Sequence, residues 1–234
     1  MRKCSRRSKL LVMKKYLKFI INIINKIFLL SNKTVVSVKS AYLVRVKIQD
    51  GNIVDMSDSD ISKSFIEVYG SSNSIKIHNS FLENLHINIQ GKNNHLIVYN
   101  NVKLRNTTFH LKGENCIIKI GENTTVGGAR IVNIGDSNNI IIGENCLLAD
   151  NIEIWASDSH KIYDSDKNCI NKEKPIYIGN KVWIGSHVKI LKGVTIGHNA
   201  IIGMSSLITK DVHNGDLCAG NPPKKIKSNV IWTL

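Results

Sequence analysis

From residue 178 onward, aliphatic side chains fall at Ile178, Ile184, Ile190, Ile196, Ile202 and Ile208, six in succession at an interval of six. An α-helix, with 3.6 residues per turn, would spread such positions around its circumference, so the period is not helical. Four of the first five are followed by glycine (Gly179, Gly185, Gly197, Gly203), and a small or β-branched residue comes four positions after each: Val182, Val188, Val194, Ala200 and Ser206. Two inward positions per six residues, separated by turns, predict short strands that meet at corners.

The same phase runs upstream through Ile142, Leu148 and Ile154, with Cys146 and Ile152 as the second inward residues. Earlier still the beat lengthens. Gly70, Gly91, Gly113 and Gly135 each open a unit of apolar alternation, and these units read as whole coils with extra residues at one corner. One coil cannot bury its own apolar side, so stacked coils must share an interior and ladder their backbone hydrogen bonds. The expected fold is an all-β parallel helix. The beat lapses once, in "WASDSHKIYDSDKNCINKEKP". Ile154 and Ile178 are 24 residues apart, a multiple of six, so the segment leaves and rejoins the solenoid in phase.

Residues 1–33 are different. They hold ten Lys or Arg and no acid, leaving only +4 of the net +14 for the rest of the chain. The body is therefore mildly basic, and nucleic acid is not an expected partner. Within this segment "YLKFIINIINKIFLL" places Lys18, Asn22, Asn25 and Lys26 on one narrow face, which predicts an amphipathic helix. It is too short to span a bilayer. Two readings stand: a peripheral contact with an anionic inner membrane leaflet, or packing on protein. Five cysteines without close pairs fit neither a disulfide framework nor a tetrahedral metal set, which makes the cytoplasm the expected compartment.

The stretch "IYIGNKVWIGSHVKILKGVTIGHNAIIGMSSLITKDVHNGDLCAGNPPKKIK" resembles the closing coils and Gly-Asn-Pro tail of the hexapeptide-repeat acyltransferases. The interrupting "SDSHKIYD" is similar to the His-bearing loop of the sugar O-acetyltransferases in that family, including those acting on capsular polysaccharides and sialic acids. The resemblance implies a left-handed parallel β-helix over 34–217 with a catalytic loop at 157–175, and a cofactor-contacting tail at 218–234. It implies acetyl transfer from acetyl-CoA to a sugar hydroxyl, in sites formed between the subunits of a homotrimer.

Residue by residue, it makes His160 the general base. A sugar hydroxyl attacks a thioester poorly at neutral pH unless a group with a pKa near 6.5 takes its proton. Asp158 and Asp164 are the carboxylates placed to hold the other ring nitrogen. The resemblance further assigns Trp183 to the acceptor wall, and the backbone around Trp183 and Gly185 to the developing oxyanion. The pantetheine arm falls to Gly185, Ser186, Gly203, Met204, Ser205 and Thr209, with Lys210, Lys224 and Lys227 meeting the phosphates. Met204 departs from the small residue usual at its position.

Three other functions fit the solenoid less well. A zinc hydratase on this fold needs three histidines, yet His187 and His198 stand eleven apart, out of phase with the six-residue beat. An N-acetyltransferase of nucleotide amino sugars usually adds a phosphate-binding N-terminal domain, and no Gly-rich loop occurs there. A non-catalytic polymer-binding solenoid would leave His160 without a role.

Overall fold

The computed structural model describes residues 38–233, so the amphipathic helix expected before residue 33 lies outside the described residues. The chain winds as a parallel β-solenoid whose three faces are sheets of ten, eight and seven strands, called here the first, second and third sheet. The eight strands of the second sheet count eight coils. No α-helix occurs among the described residues.

The register reports the length of each coil. Ser40 pairs with Asp60, Lys103 with Thr125, Ala129 with Ile152, Trp183 with Ile201 and Ile201 with Leu217, so the coils run at 20–23 residues and then shorten to 18 and 16. Only one step breaks this series: Leu147 pairs with Trp183, Ile140 with Ile176 and Ile154 with Ile190, all 36 apart. The whole excursion is therefore absorbed between strands Ile152–Trp155 and Ile176–Ile178, and the inward residues keep their phase. Ile178 and its five successors at intervals of six are all buried, as are Val182, Val188, Val194, Ala200 and Ser206 between them. Cys146 is core, as its inward phase predicts.

The longer coils are explained at one corner. Gly70, Gly91, Gly113 and Gly135 stack in register, all with positive φ between 97° and 131°. Beside them runs a second ladder that the apolar beat does not reveal. Asn52, Asn73 and Asn94 are almost wholly buried. The side-chain carbonyl of each accepts the backbone N–H of the residue one coil on (Asn73, Asn94, Cys116), every bond at 2.9 Å. Their amide groups donate to the carbonyls of Gly70, Gly91 and Gly113, also at 2.9 Å. Burying an amide costs free energy unless its hydrogen bonds are made, and here each coil supplies those of the next. The last rung is Asn138, whose Nδ2 donates to Ala156 O at 3.0 Å, where the excursion begins.

At the C-terminal end the winding stops by reversal. Strand Lys224–Lys227 runs antiparallel to Leu217–Ala219 on the edge of the first sheet, after a cis Asn221–Pro222 bond. The tail then crosses the outside of that sheet. Trp232 is buried there, its Nε1 donating to Lys181 O at 2.8 Å.

Candidate active site

The excursion is a tied loop. Near its tip Tyr163 and Cys169 form an antiparallel bridge, and Asp164 caps the turn by accepting the backbone N–H groups of Asp166 and Asn168 at 3.0 and 2.8 Å. These backbone donors hold the Asp164 carboxyl below the usual carboxylate range. At the neck, Asn171 Nδ2 donates to His160 O at 2.8 Å and to Asp158 Oδ2 at 2.9 Å, while its Oδ1 accepts Ile162 N–H at 2.6 Å. Lys192, reaching up from the next coil, donates to Asp158 Oδ2 at 2.5 Å and to Asn171 O at 2.7 Å. The ammonium beside it draws the Asp158 carboxyl below its ordinary pKa.

This knot corrects one sequence-based expectation. Neither Asp158 nor Asp164 turns its carboxylate to the His160 ring: the first is occupied by Lys192 and Asn171, the second by its own turn. The reason is local. A carboxylate two residues from His160 competes for the nearest fixed donors, and a partly buried ammonium is the stronger one. Asp158 shapes the loop, and within the subunit the exposed His160 ring has no hydrogen-bond partner among the described residues. Lys192 and Asn171 have no motif around them; only the three-dimensional return of the coil brings them to the neck.

Most of the residues expected to bind the cofactor fall on the first sheet and its corner with the second; Thr209 and Lys210 instead follow the last strand of the second sheet. Ala149, Gly185, Gly203 and Ala219 stack through coil-to-coil backbone bonds and form a trough of small residues along the solenoid axis. Two of these must be glycine, because a β-carbon at 185 would sit 2.8 Å from Met204 N and one at 203 would sit 2.6 Å from the Ala219 β-carbon. Ser186, Met204 and Ser205 border the trough, and Met204 is 67% exposed. The Ser186 hydroxyl donates to Asp150, an acid that no motif marks. Thr209 and Lys210 lie exposed after strand Leu207–Ile208, and Lys224 and Lys227 are exposed on the reversed strand. Lys225 instead pairs with the buried Asp216 at 3.6 Å. The structure thus gathers the small residues and the serines, and places the lysines of the tail at the far end of the same sheet.

Trp183 stands outside the first sheet, 40% exposed, with its ring centroid 6.2 Å from that of Trp232. Sequence reading missed Trp232; its only signal is an aromatic residue in the short apolar run Val230–Ile231–Trp232 that closes a lysine-rich tail. Among the described residues no three His, Cys, Asp or Glu side chains converge as a metal site would require.

Comparison with known proteins places this geometry. The pattern described as Bacterial transferase hexapeptide (six repeats) matches residues 175–210. The polysialic acid O-acetyltransferase of Neisseria meningitidis is 33% identical over 187 residues, covering 70% of this chain and 86% of that protein. The polysialic acid O-acetyltransferase of Escherichia coli O1:K1 / APEC is 37% identical over 136 residues, 58% of this chain, and the chain spans 43% of its length. The crystal structure of the polySia specific acetyltransferase NeuO superposes with a TM-score of 0.71 at 30% identity, covering 87% of this chain and 90% of that one.

Proposed function

The chain belongs to the hexapeptide-repeat acyltransferase family, and from that premise we propose that it transfers an acetyl group from acetyl-CoA to a hydroxyl of an acidic surface polysaccharide. The observation that carries this reading is the in-register loop: a segment knotted at its neck presents an exposed imidazole on a rigid wall that also bears a trough of small residues. The similarity to enzymes named for polysialic acid points to an acidic sugar polymer as the acceptor.

The chemistry follows from the groups present. His160 accepts the proton of the acceptor hydroxyl as its oxygen bonds to the thioester carbonyl carbon. The N–H groups of Trp183 and Gly185 are themselves taken by Ala200 O and Ile202 O at 3.0 and 2.8 Å, so the oxyanion falls to a free N–H of the turn that follows Gly185. When the tetrahedral species collapses, the C–S bond breaks and the imidazolium returns its proton to the departing thiolate, giving the O-acetyl ester and free CoA. The trough lets a narrow pantetheine chain lie flat against the first sheet, and Lys210, Lys224 and Lys227 supply cations for its phosphates. Because the imidazole has no partner among the described residues, the reading includes a homotrimer in which the adjacent subunit completes each site. Residues 1–33 would hold the enzyme at the inner face of the membrane, near the growing polymer.

Thiol release from acetyl-CoA in the presence of oligosialic acid tests this. His160→Ala is expected to lower kcat at least ~100-fold, the low end for loss of a general base, with little change in acetyl-CoA affinity. Full turnover in that variant would remove the assigned base.

A further inference from the structure

A cavity of about 260 Å³ lies on the outer face of the second sheet and has Ser159, the neighbour of His160, at its rim. Four successive coils build it. His110, Val132 and Trp155 stack in register, and Lys112 pairs with Ile134 alongside them. Arg130 holds its guanidinium 4.8 Å from the centre of the Trp155 ring, a cation–π distance, and Trp155 Nε1 donates to Glu153 at 2.8 Å. Stacking leaves the guanidinium's edge donors available in plane. The lining contains Lys112 and Arg130 and no carboxylate. Burial, reinforced by the Arg130 charge, lowers the pKa of His110, so at neutral pH it is a neutral ring that both donates and accepts. Asn88 and Gln90 add amides on the next coil.

Two cations, one of them held over Trp155, with a neutral imidazole and amides suit a ligand that carries one carboxylate among several hydroxyls. The volume is below the ~300–1,000 Å³ of drug-sized sites, which leaves room for one sugar residue and not a long stretch of chain. We propose that this cavity is an acceptor subsite: it holds the carboxylate-bearing sugar residue adjacent to the one being acetylated, with Arg130 forked onto the carboxylate and Lys112 as the second cation. The proposal rests on the acetyl-transfer reading. It places the acceptor's carboxylate on the outer face of the second sheet, at residues other than Lys210, Lys224 and Lys227, which are expected to meet the cofactor's phosphates.

Arg130 and Lys112 are both exposed, so Arg130→Gln and Lys112→Gln leave the solenoid intact. The probes are a sialic acid hexamer and the same hexamer with its carboxylates reduced to alcohols. Losing a charge-assisted fork is expected to raise KM for the acidic hexamer about tenfold or more in Arg130→Gln, and less in Lys112→Gln. KM for acetyl-CoA and for the reduced hexamer should stay unchanged. An equal shift for both hexamers, or a shift confined to acetyl-CoA, overturns the assignment. Calorimetric binding of the hexamers without acetyl-CoA separates this idea from its premise. Charge-selective binding lost in Arg130→Gln supports the subsite even if no transfer occurs. Turnover with an unaltered acid-to-neutral preference in the variant removes the subsite and leaves the enzyme.

Discussion

A β-carbon at position 91 would lie 2.0 Å from the Gly113 carbonyl oxygen, on a residue whose φ is +116°. Both the clash and the backbone angle fall on main chain, which cannot swing aside. Gly91→Ala is expected to cost on the order of 3 kcal/mol or more, read as a drop in the midpoint of chemical denaturation. Gly51→Ala, also at positive φ but with nothing within 4 Å, should cost about 1 kcal/mol, so the difference isolates coil packing. At this scale the apolar beat and the spaced glycines are legible in the sequence, since both recur in phase. The buried Asn52–Asn73–Asn94 ladder is not, because an asparagine at a corner looks the same whether it faces water or the neighbouring coil. Its burial is decided by the coil above.

The loop shows the same limit among its own parts. That it leaves and returns in phase can be counted from Ile154 to Ile178, and His160 stands out within it. What holds it cannot be counted: Lys192 belongs to a different coil and meets Asp158 only after the chain has gone round. An exposed ion pair alone contributes about 0.2–1 kcal/mol. This one shares its atoms with Asn171, which also binds the backbone at 160 and 162, so removing the ammonium loosens several bonds together. Lys192→Met is expected to speed amide exchange across residues 157–171 and to lower kcat more than it changes acetyl-CoA affinity; Lys192→Arg should restore much of both. Acid should act similarly. Asp158 has its pKa depressed in the folded loop, so the clasp is complete above the ordinary aspartate range near 3.9 and is lost as pH falls through the lower folded value. Exchange in the loop that rises between pH 7 and 5 would contradict this assignment.

For the molecule as a whole, the decisive question is whether one subunit holds a complete site. An imidazole without a partner among the described residues, and a trough on a different sheet, are what a division of labour between copies would look like in one subunit. Co-expression of His160→Ala with Lys224→Glu/Lys227→Glu, each expected to be inactive alone, should then yield mixed assemblies with measurable turnover. Failure to regain any activity, with mixed assemblies demonstrated by light scattering and tag pull-down, would return the site to one subunit. The fold class was open to sequence reading because a solenoid is nearly one-dimensional, each coil touching only its neighbours. Side-chain contacts across coils, such as Lys192 with Asp158, were not.

The reversed strand at the C-terminal end has a consequence outside catalysis. A parallel stack has no inherent length, and an uncovered final rung offers unpaired N–H and C=O groups to any like edge. Lys224–Lys227 meets the first sheet in the opposite direction, with three lysines and Ile226 turned to solvent, so a second molecule finds neither a matching polarity nor an uncharged rim. The tail in this sense caps the edge of the first sheet against the addition of a like strand. A chain ending at Gly220 should keep its coils yet assemble end to end into filaments that scatter light and bind thioflavin T, whereas the full chain at equal concentration stays dispersed.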